Sequence, residues 1–449
     1  MRVVVRWIVV VVVLLHGLLH LLGAAEGLGW ADVSPLTRPI SASTAIAWLA
    51  TAVLVVATGL LLARSVGWWW MVGAVAVVAS QAMIFTTWSD ASAGTLANLI
   101  LLLAVVYGYA SQGPTSYRAE FRRRSQIALT QPIDGELVTE ADLAELPDPV
   151  AAYVRQSDAV GQARVRNFHA YISGRIRSGT TKPWMPFRGE QVNTLGTDPV
   201  RLFYIDATML GIPLDVLHVF AGPSATMRVK AVSLFRMVNA AGPEMDQGET
   251  VTVFNDLCVL APAALVDAPI AWETIDDHHV RGTFTRGAHT VSALLIFNDA
   301  HELIDFISDD RTAASSDGKH FVHQRWSTPL RGYRSFGATR IATVGEGRWH
   351  APDPEGEFTY IDFHVDDIVY NATSNHASTP SNTSRKGPLA LPHVKSEADD
   401  DRCTEKREAS CALSASTAES KSSDPTSARR RSEERRVGKE CVTTCRSRW

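Results

Sequence analysis

Ready-made chemistry is scarce in this sequence. The spacings HExxH, GxSxG and CxxC and the glycine-rich phosphate loop are all missing from its 449 residues. No metalloprotease, serine hydrolase, dithiol or nucleotide-phosphate mechanism can therefore be assigned from a motif. Cysteine is also scarce: of five, Cys403, Cys411, Cys441 and Cys445 stand in the tail and only Cys258 lies in the part patterned to fold. That excludes a disulfide framework, so the core must rest on packing. Neither sign of charge dominates, with 43 Lys and Arg against 47 Asp and Glu for a net charge of −4. Without a global basic field, nucleic acid is not an expected partner.

Apolar sequence is abundant at the front of the chain. Residues 7–25, 44–63, 67–87 and 94–111 are each close to the ~20 apolar residues that a helix needs to cross a bilayer, which predicts a transmembrane region over residues 1–112. None carries Asp, Glu, Lys or Arg in its middle, and Trp68, Trp69, Trp70, Trp88, Tyr107 and Tyr109 gather near the ends, where rings suit the headgroup layer. Arg2, Arg6, Arg64, Arg118 and residues 122–124 fall on one side, and Glu26, Asp32, Arg38 and Asp90 on the other. The positive-inside rule then places the termini and the soluble domain in the cytoplasm, at the inner (plasma) membrane. If the first span were instead a signal peptide cleaved near residues 23–25, the soluble domain would stay on the same side. His16 and His20 share a face of the first span and are candidate haem or metal ligands; the alternative is hydrogen bonding to neighbouring helices.

Residues 113–160 are expected to form a juxtamembrane linker and helix, with the basic run at 117–124 acting as topology signal and headgroup contact and residues 139–158 as a docking helix. From residue 161 to 371 the pattern becomes β. Eleven runs rich in Val, Ile, Phe and Tyr, at 165–177, 185–195, 200–207, 215–221, 225–232, 280–285, 290–297, 303–309, 320–326, 339–350 and 357–370, predict strands. Alternation in Val291, Ala293, Leu295 and Phe297 indicates burial on one face. The expectation is an α+β soluble domain: a large curved antiparallel sheet or partly open barrel with a helical lid.

The lid is residues 248–273. Val253, Phe254, Leu257, Cys258 and Ala261 share an apolar helical face, and Glu249, Thr252 and Asp256 the opposite one. Pro262 ends the helix, and residues 263–266 allow one further turn. Glu249 reads as an acid favoured by the helix dipole and Asp256 as solvated or bonded by a side chain, while both are the candidate catalytic acid and base. Thr252, Asn255, Trp272, Arg311, Trp326 and Trp349 are the candidate ligand-binding residues, the tryptophans as cavity lining for an acyl or isoprenoid group. Asp309, Asp310 and Arg311 are expected to pin a strand end, and His278 and His279 to enter a strand after a turn. No cofactor is expected.

LPDPVAAYVRQS, VRNFHAYISGRIR, WMPFRGEQ, APAALVDAPIAWE, ISDDR, RWSTPLRGY and GEGRW follow one another between residues 146 and 370. In that order they resemble a bacterial family known only as a domain of unknown function, a resemblance that implies no activity. A looser likeness in fold is to curved-sheet lipoprotein carriers, which shield an acyl chain between sheet and helix. Three functions stay open: a membrane-tethered holder of an apolar or amphipathic small molecule, an enzyme on a lipid-like substrate, and a sensor or scaffold binding a protein. Residues 372–449 are poor in aromatics and are expected to be disordered; their end resembles translated sequencing adapter, which puts the natural end near Asn371.

Overall fold

The computed structural model describes residues 3–375, apart from 35, 131–132, 134, 197 and 316–317. The expectations about the tail beyond residue 375 lie outside the described residues.

Five helices open the chain: α1 (Val3–Gly27), α2 (Ala42–Ala63), α3 (Trp69–Thr86), the single turn α4 (Trp88–Ala91) and α5 (Gly94–Gln112). Four helices here are long and apolar enough to cross a membrane, judged by length and composition. Their apolar residues divide by side. Val10, Val13, Val55, Trp69 and Leu101 are buried between helices, whereas Val53, Val78 and Leu103 point outward and exposed. Such an outer surface is stable against hydrocarbon and costly against water. Inside the bundle, His16 Nε2 lies 3.0 Å from both Ser80 Oγ and Asn98 Oδ1, and His20 Nε2 lies 2.8 Å from the same hydroxyl. The two histidines thus tie α1 to α3 and α5, the hydrogen-bonding alternative stated above.

α6 (Tyr117–Ala128), capped by the Ser116 hydroxyl, α7 (Glu140–Leu143) and α8 (Asp148–Gln156) lead into the sheet. The strands of its first half are β1 (Asn167–Ile176), β2 (Met185–Thr194), β3 (Arg201–Met209), β4 (Ile212–Ala221), β5 (Ser224–Ala231) and β6 (Phe235–Ala241). After α9 (Pro243–Leu260) and a 3-10 turn (Pro262–Val266) come β7 (Ile270–Thr274), β8 (His279–Arg286), β9 (His289–Phe297) and β10 (Leu303–Ser308). The rest are β11 (Thr312–Ala314), β12 (Phe321–His323), β13 (Trp326–Ser327), β14 (Leu330–Phe336), β15 (Thr339–His350) and β16 (Glu357–Tyr370). All but β11 and β12, which pair with each other, join one sheet of 14 strands.

Its order explains its shape. β1 and β16 pair antiparallel at the centre, β1 to β6 step outward in one wing, and β16, β15, β13, β10, β9, β8 and β7 run outward in the other. β6 and β7 end this order, and β14 hangs on β15 alone, so the sheet is not closed. The chain must pass from one edge to the other, and α9 makes that crossing. It touches β5 and β6 in one wing and β8, β9, β10 and β15 in the other, so the sheet curls around it.

α6 packs on the opposite, convex face. Tyr117, Phe121 and Leu129 bury against Val192, Leu202, Tyr204, Leu217 and Val219. Part of the basic run is therefore turned inward to the protein: Arg118 pairs with Asp206 at 3.5 Å and lies over the Tyr204 ring, and Arg124 pairs with Glu120 at 2.9 Å. Arg122 and Arg123 remain exposed. Four segments went unread as strands: β7, whose residues fall at the end of the expected lid, the three-residue β11, β6 and β14. β6 is exposed at nearly every position, and β14 is interrupted by polar residues, so neither shows the alternation that marks one-sided burial.

Candidate functional site

The concave face is polar at its centre. Gln191 and Asn193 stand two apart on β2, Arg201 is opposite Asn193 on β3, and His218 is opposite Phe203 on β4. Residues two apart on a strand share a face, so all four meet α9. On α9, Glu249 and Asp256 are seven residues apart and share one side of the helix. Asp256 Oδ2 accepts from Gln191 Nε2 at 2.8 Å, Asn193 Nδ2 at 2.9 Å and Arg201 Nε at 2.7 Å. Arg201 Nη1 donates to Glu249 Oε2 at 3.0 Å, and His218 Nδ1 stands 3.7 Å from the other Glu249 oxygen.

This cluster corrects the sequence reading at two points. The polar face of the helix is not solvated: every residue from Gly248 to Leu260 is buried, and Asp256 is bonded by side chains. Glu249 is also not a helix-start acid, because α9 begins six residues earlier at Pro243. Burial pushes the Glu249 carboxyl up, but the Arg201 guanidinium and then His218 outweigh it and hold it down at about 2. For Arg201, burial works against the charged form, and the carboxylates of Asp256 and Glu249 more than reverse that. The result is a fixed set of charges in which two carboxylates share one guanidinium; a carboxylate held so low is a poor proton donor near neutrality.

The remaining candidates lie around this centre. Thr252 and Arg311 are joined by a hydrogen bond, and Arg311 Nη1 also donates to the Gly248 carbonyl at 3.2 Å. The same guanidinium lies over Trp326 at 4.4 Å and Trp349 at 5.7 Å, so those two tryptophans flank an arginine that grips α9. Asp309 bonds Arg325, and Asp310 accepts from Ser292, so the acid pair pins the strand end through other partners than Arg311. Asn255 reaches Thr328 at 3.2 Å. Trp272 stands on the edge strand β7, where it and Phe254 pack over Gly282; a Cβ there would come within 2.6 Å of the Phe254 ring. Phe254 also stacks with Phe284 and meets Phe306 edge to face. The helix is therefore held by charge to the β2–β4 wing and by aromatic rings to the β8–β10 wing.

Cys258 is buried on α9, its thiol pushed up by burial, and its carbonyl accepts from Tyr153 of α8 at 2.8 Å. His278 and His279 bond Asp299 and Asp276 at the exposed turn. Among the described residues no group of three or more His, Cys, Asp or Glu is placed to hold a metal ion. Gln191, Asn193, Arg201 and His218 escaped notice in the sequence. Their signal is a polar residue in phase with an apolar alternation, as Arg201 is with Phe203, Ile205 and Ala207.

A bundle of four membrane-length helices carrying an open antiparallel sheet curled round a buried helix is the class of protein that fold and cluster define. The chain belongs to the family of unknown function DUF6544, whose profile matches residues 136–363, just over half of the 449 residues. No curated protein matches it. Among solved structures it is similar to a domain assigned to outer membrane lipoprotein sorting from Vibrio parahaemolyticus, at 11% identity over 45% of this chain and 85% of that one, with a TM-score of 0.27. It is also similar to a DUF1329 family protein from Desulfovibrio piger, at 14% identity over 53% of this chain and 98% of that one, with a TM-score of 0.30.

Proposed function

We propose that this protein is a membrane-tethered holder of an apolar or amphipathic small molecule, taken up on the concave face of the β1–β6 wing. The observation that carries the reading is where α9 stops. Its first turns meet β5 at the strand's beginning, through Asp246 accepting from the Ala225 amide, and its last carbonyl accepts from Tyr370, the final residue of β16. Both contacts lie at the same end of the sheet, the end of the β4–β5 connection. Towards the opposite end, Met209 faces Ile212 and Val216 faces Val229 across paired strands, and all four side chains are half-buried or exposed, as is Met227. Paired antiparallel residues project to one side, so these form a continuous apolar strip on the concave face. An apolar chain laid there would remove exposed hydrocarbon from water at roughly 25 cal/mol per Å². The strip lies towards the end reached by α5, whose Tyr107 lies beside Ser233 in the β5–β6 turn. The charge pattern of the short connections supports a cytoplasmic position at the inner membrane.

The test is native mass spectrometry of the full chain released from detergent. Bound lipid is expected in the parent protein and is expected to be lost in Val216→Glu and Met227→Glu variants that keep their circular dichroism. A lipid-free parent, or variants that retain lipid equally, would overturn the proposal. One observation favours a second reading, a sensor or scaffold for a protein partner: the far end of the concave face is filled by the protein's own side chains, with residues 248–260 of α9 all buried. A lipid-free parent would leave that reading standing.

A further inference from the structure

We infer that the tips of two hairpins, at Leu210 and Leu234, insert into the headgroup layer of the same bilayer that the helices cross. Leu210 tops the β3–β4 hairpin and is 83% exposed; Leu234 tops the β5–β6 hairpin and is 44% exposed beside Phe235 at 66%. The two tips are neighbours, because Leu214 at the start of β4 pairs with Ala231 at the end of β5. Leu210 also holds a positive φ of 46° in a position where glycine or asparagine would be unstrained, and the next turn has Val232 and Ser233 at 53° and 59°. An exposed leucine in a strained turn gains nothing from water, whereas an apolar wedge at an interface would.

Their depth is fixed by the helices. Ser233, next to Leu234, lies beside Tyr107, an aromatic residue near the end of α5. A ring at that place in a membrane-length helix lies at headgroup level. The turn that touches it lies at that level too. The charges agree with a lipid surface. Lys230 pairs with Arg236 across β5 and β6 just behind the tip, and Arg122 and Arg123 are exposed on α6. The nearby acids are occupied within the protein: Asp215 accepts from Tyr204 and Ser233, and Asp206 pairs with Arg118. A basic collar behind an apolar tip suits anionic headgroups above acyl chains.

Photo-crosslinking tests this in the full chain, reconstituted in vesicles of phosphatidylcholine and phosphatidylglycerol. Benzoylphenylalanine is placed by Leu210→benzoylphenylalanine, by Leu234→benzoylphenylalanine and, at the opposite end of the sheet, by Ser224→benzoylphenylalanine. Peptide mass spectra after irradiation should show lipid adducts at 210 and 234 and none at 224. Absence of lipid adducts at both tips, or adducts to a second protein chain in their place, would overturn the inference. The outcome does not depend on whether the concave strip retains a ligand, since neither tip residue belongs to it.

Discussion

Replacing Arg201 with methionine removes the guanidinium that Glu249 and Asp256 share, at 3.0 and 2.7 Å, while keeping much of the side-chain volume. Both carboxylates are buried, so removing their cation leaves two uncompensated charges out of water. Breaking a buried pair from one side costs about 3–5 kcal/mol. The pH dependence gives a sharper check. In the parent, Glu249 is held at about 2 against its ordinary 4.5. A depressed carboxyl stabilises the fold above its unfolded value and loses that contribution as pH falls through the folded value, here between about 4.5 and about 2, for about 3.5 kcal/mol at 1.4 kcal/mol per unit. In Arg201→Met, the largest opposing charge is gone and burial is opposed only by His218 and, less, by Arg311, so the folded value rises above the unfolded one and the sign reverses. The variant should then be weakest near neutrality and recover as the pH falls through that raised value. Urea unfolding of the full chain in detergent, followed by tryptophan fluorescence at neutral and mildly acid pH, measures both effects. A gap below about 1 kcal/mol near neutrality, the scale of an exposed pair, or a gap that does not narrow on acidification would refute the reasoning. The triple variant Arg201→Met, Glu249→Gln, Asp256→Asn removes the buried charges together and should regain most of the loss.

Phe254→Ala empties the space between Phe284, Phe306 and Trp272 and should cost about 3–5 kcal/mol in the same unfolding assay, with a loss under about 1 kcal/mol contradicting the packing. Arg311→Lys keeps the charge but loses the planar fork over Trp326 and its reach to the Gly248 carbonyl; a destabilisation of about 1–2 kcal/mol is expected, and a neutral outcome would show that charge alone holds α9 there. Ser80→Ala removes the hydroxyl common to His16, His20 and Asn98 and should weaken the helix bundle by about 0.6–2 kcal/mol in unfolding by sodium dodecyl sulfate, whereas unchanged unfolding would mean the network does not hold the helices together.

Patterns that are local could be read from the chain. The membrane-length helices announce themselves by runs of uncharged residues, because a bilayer constrains each segment separately. A strand such as β9 shows through its alternation, which one-sided burial imposes on consecutive residues. The amphipathic pattern of residues 249–261 likewise marked a helix whose two faces meet different surroundings. What those surroundings are was beyond reach. An antiparallel sheet order with β1 beside β16, some 200 residues apart in sequence, makes β6 and β7 the edges and sends α9 across the hollow between them. The sequence by itself therefore determined most of the elements, many of their buried sides and the presence of Glu249 and Asp256 on one helical face. Only the tertiary structure decided that this face turns inward onto Arg201, because β2, β3 and β4 bring polar residues from positions 191, 193, 201 and 218 to a point that no spacing in the chain encodes.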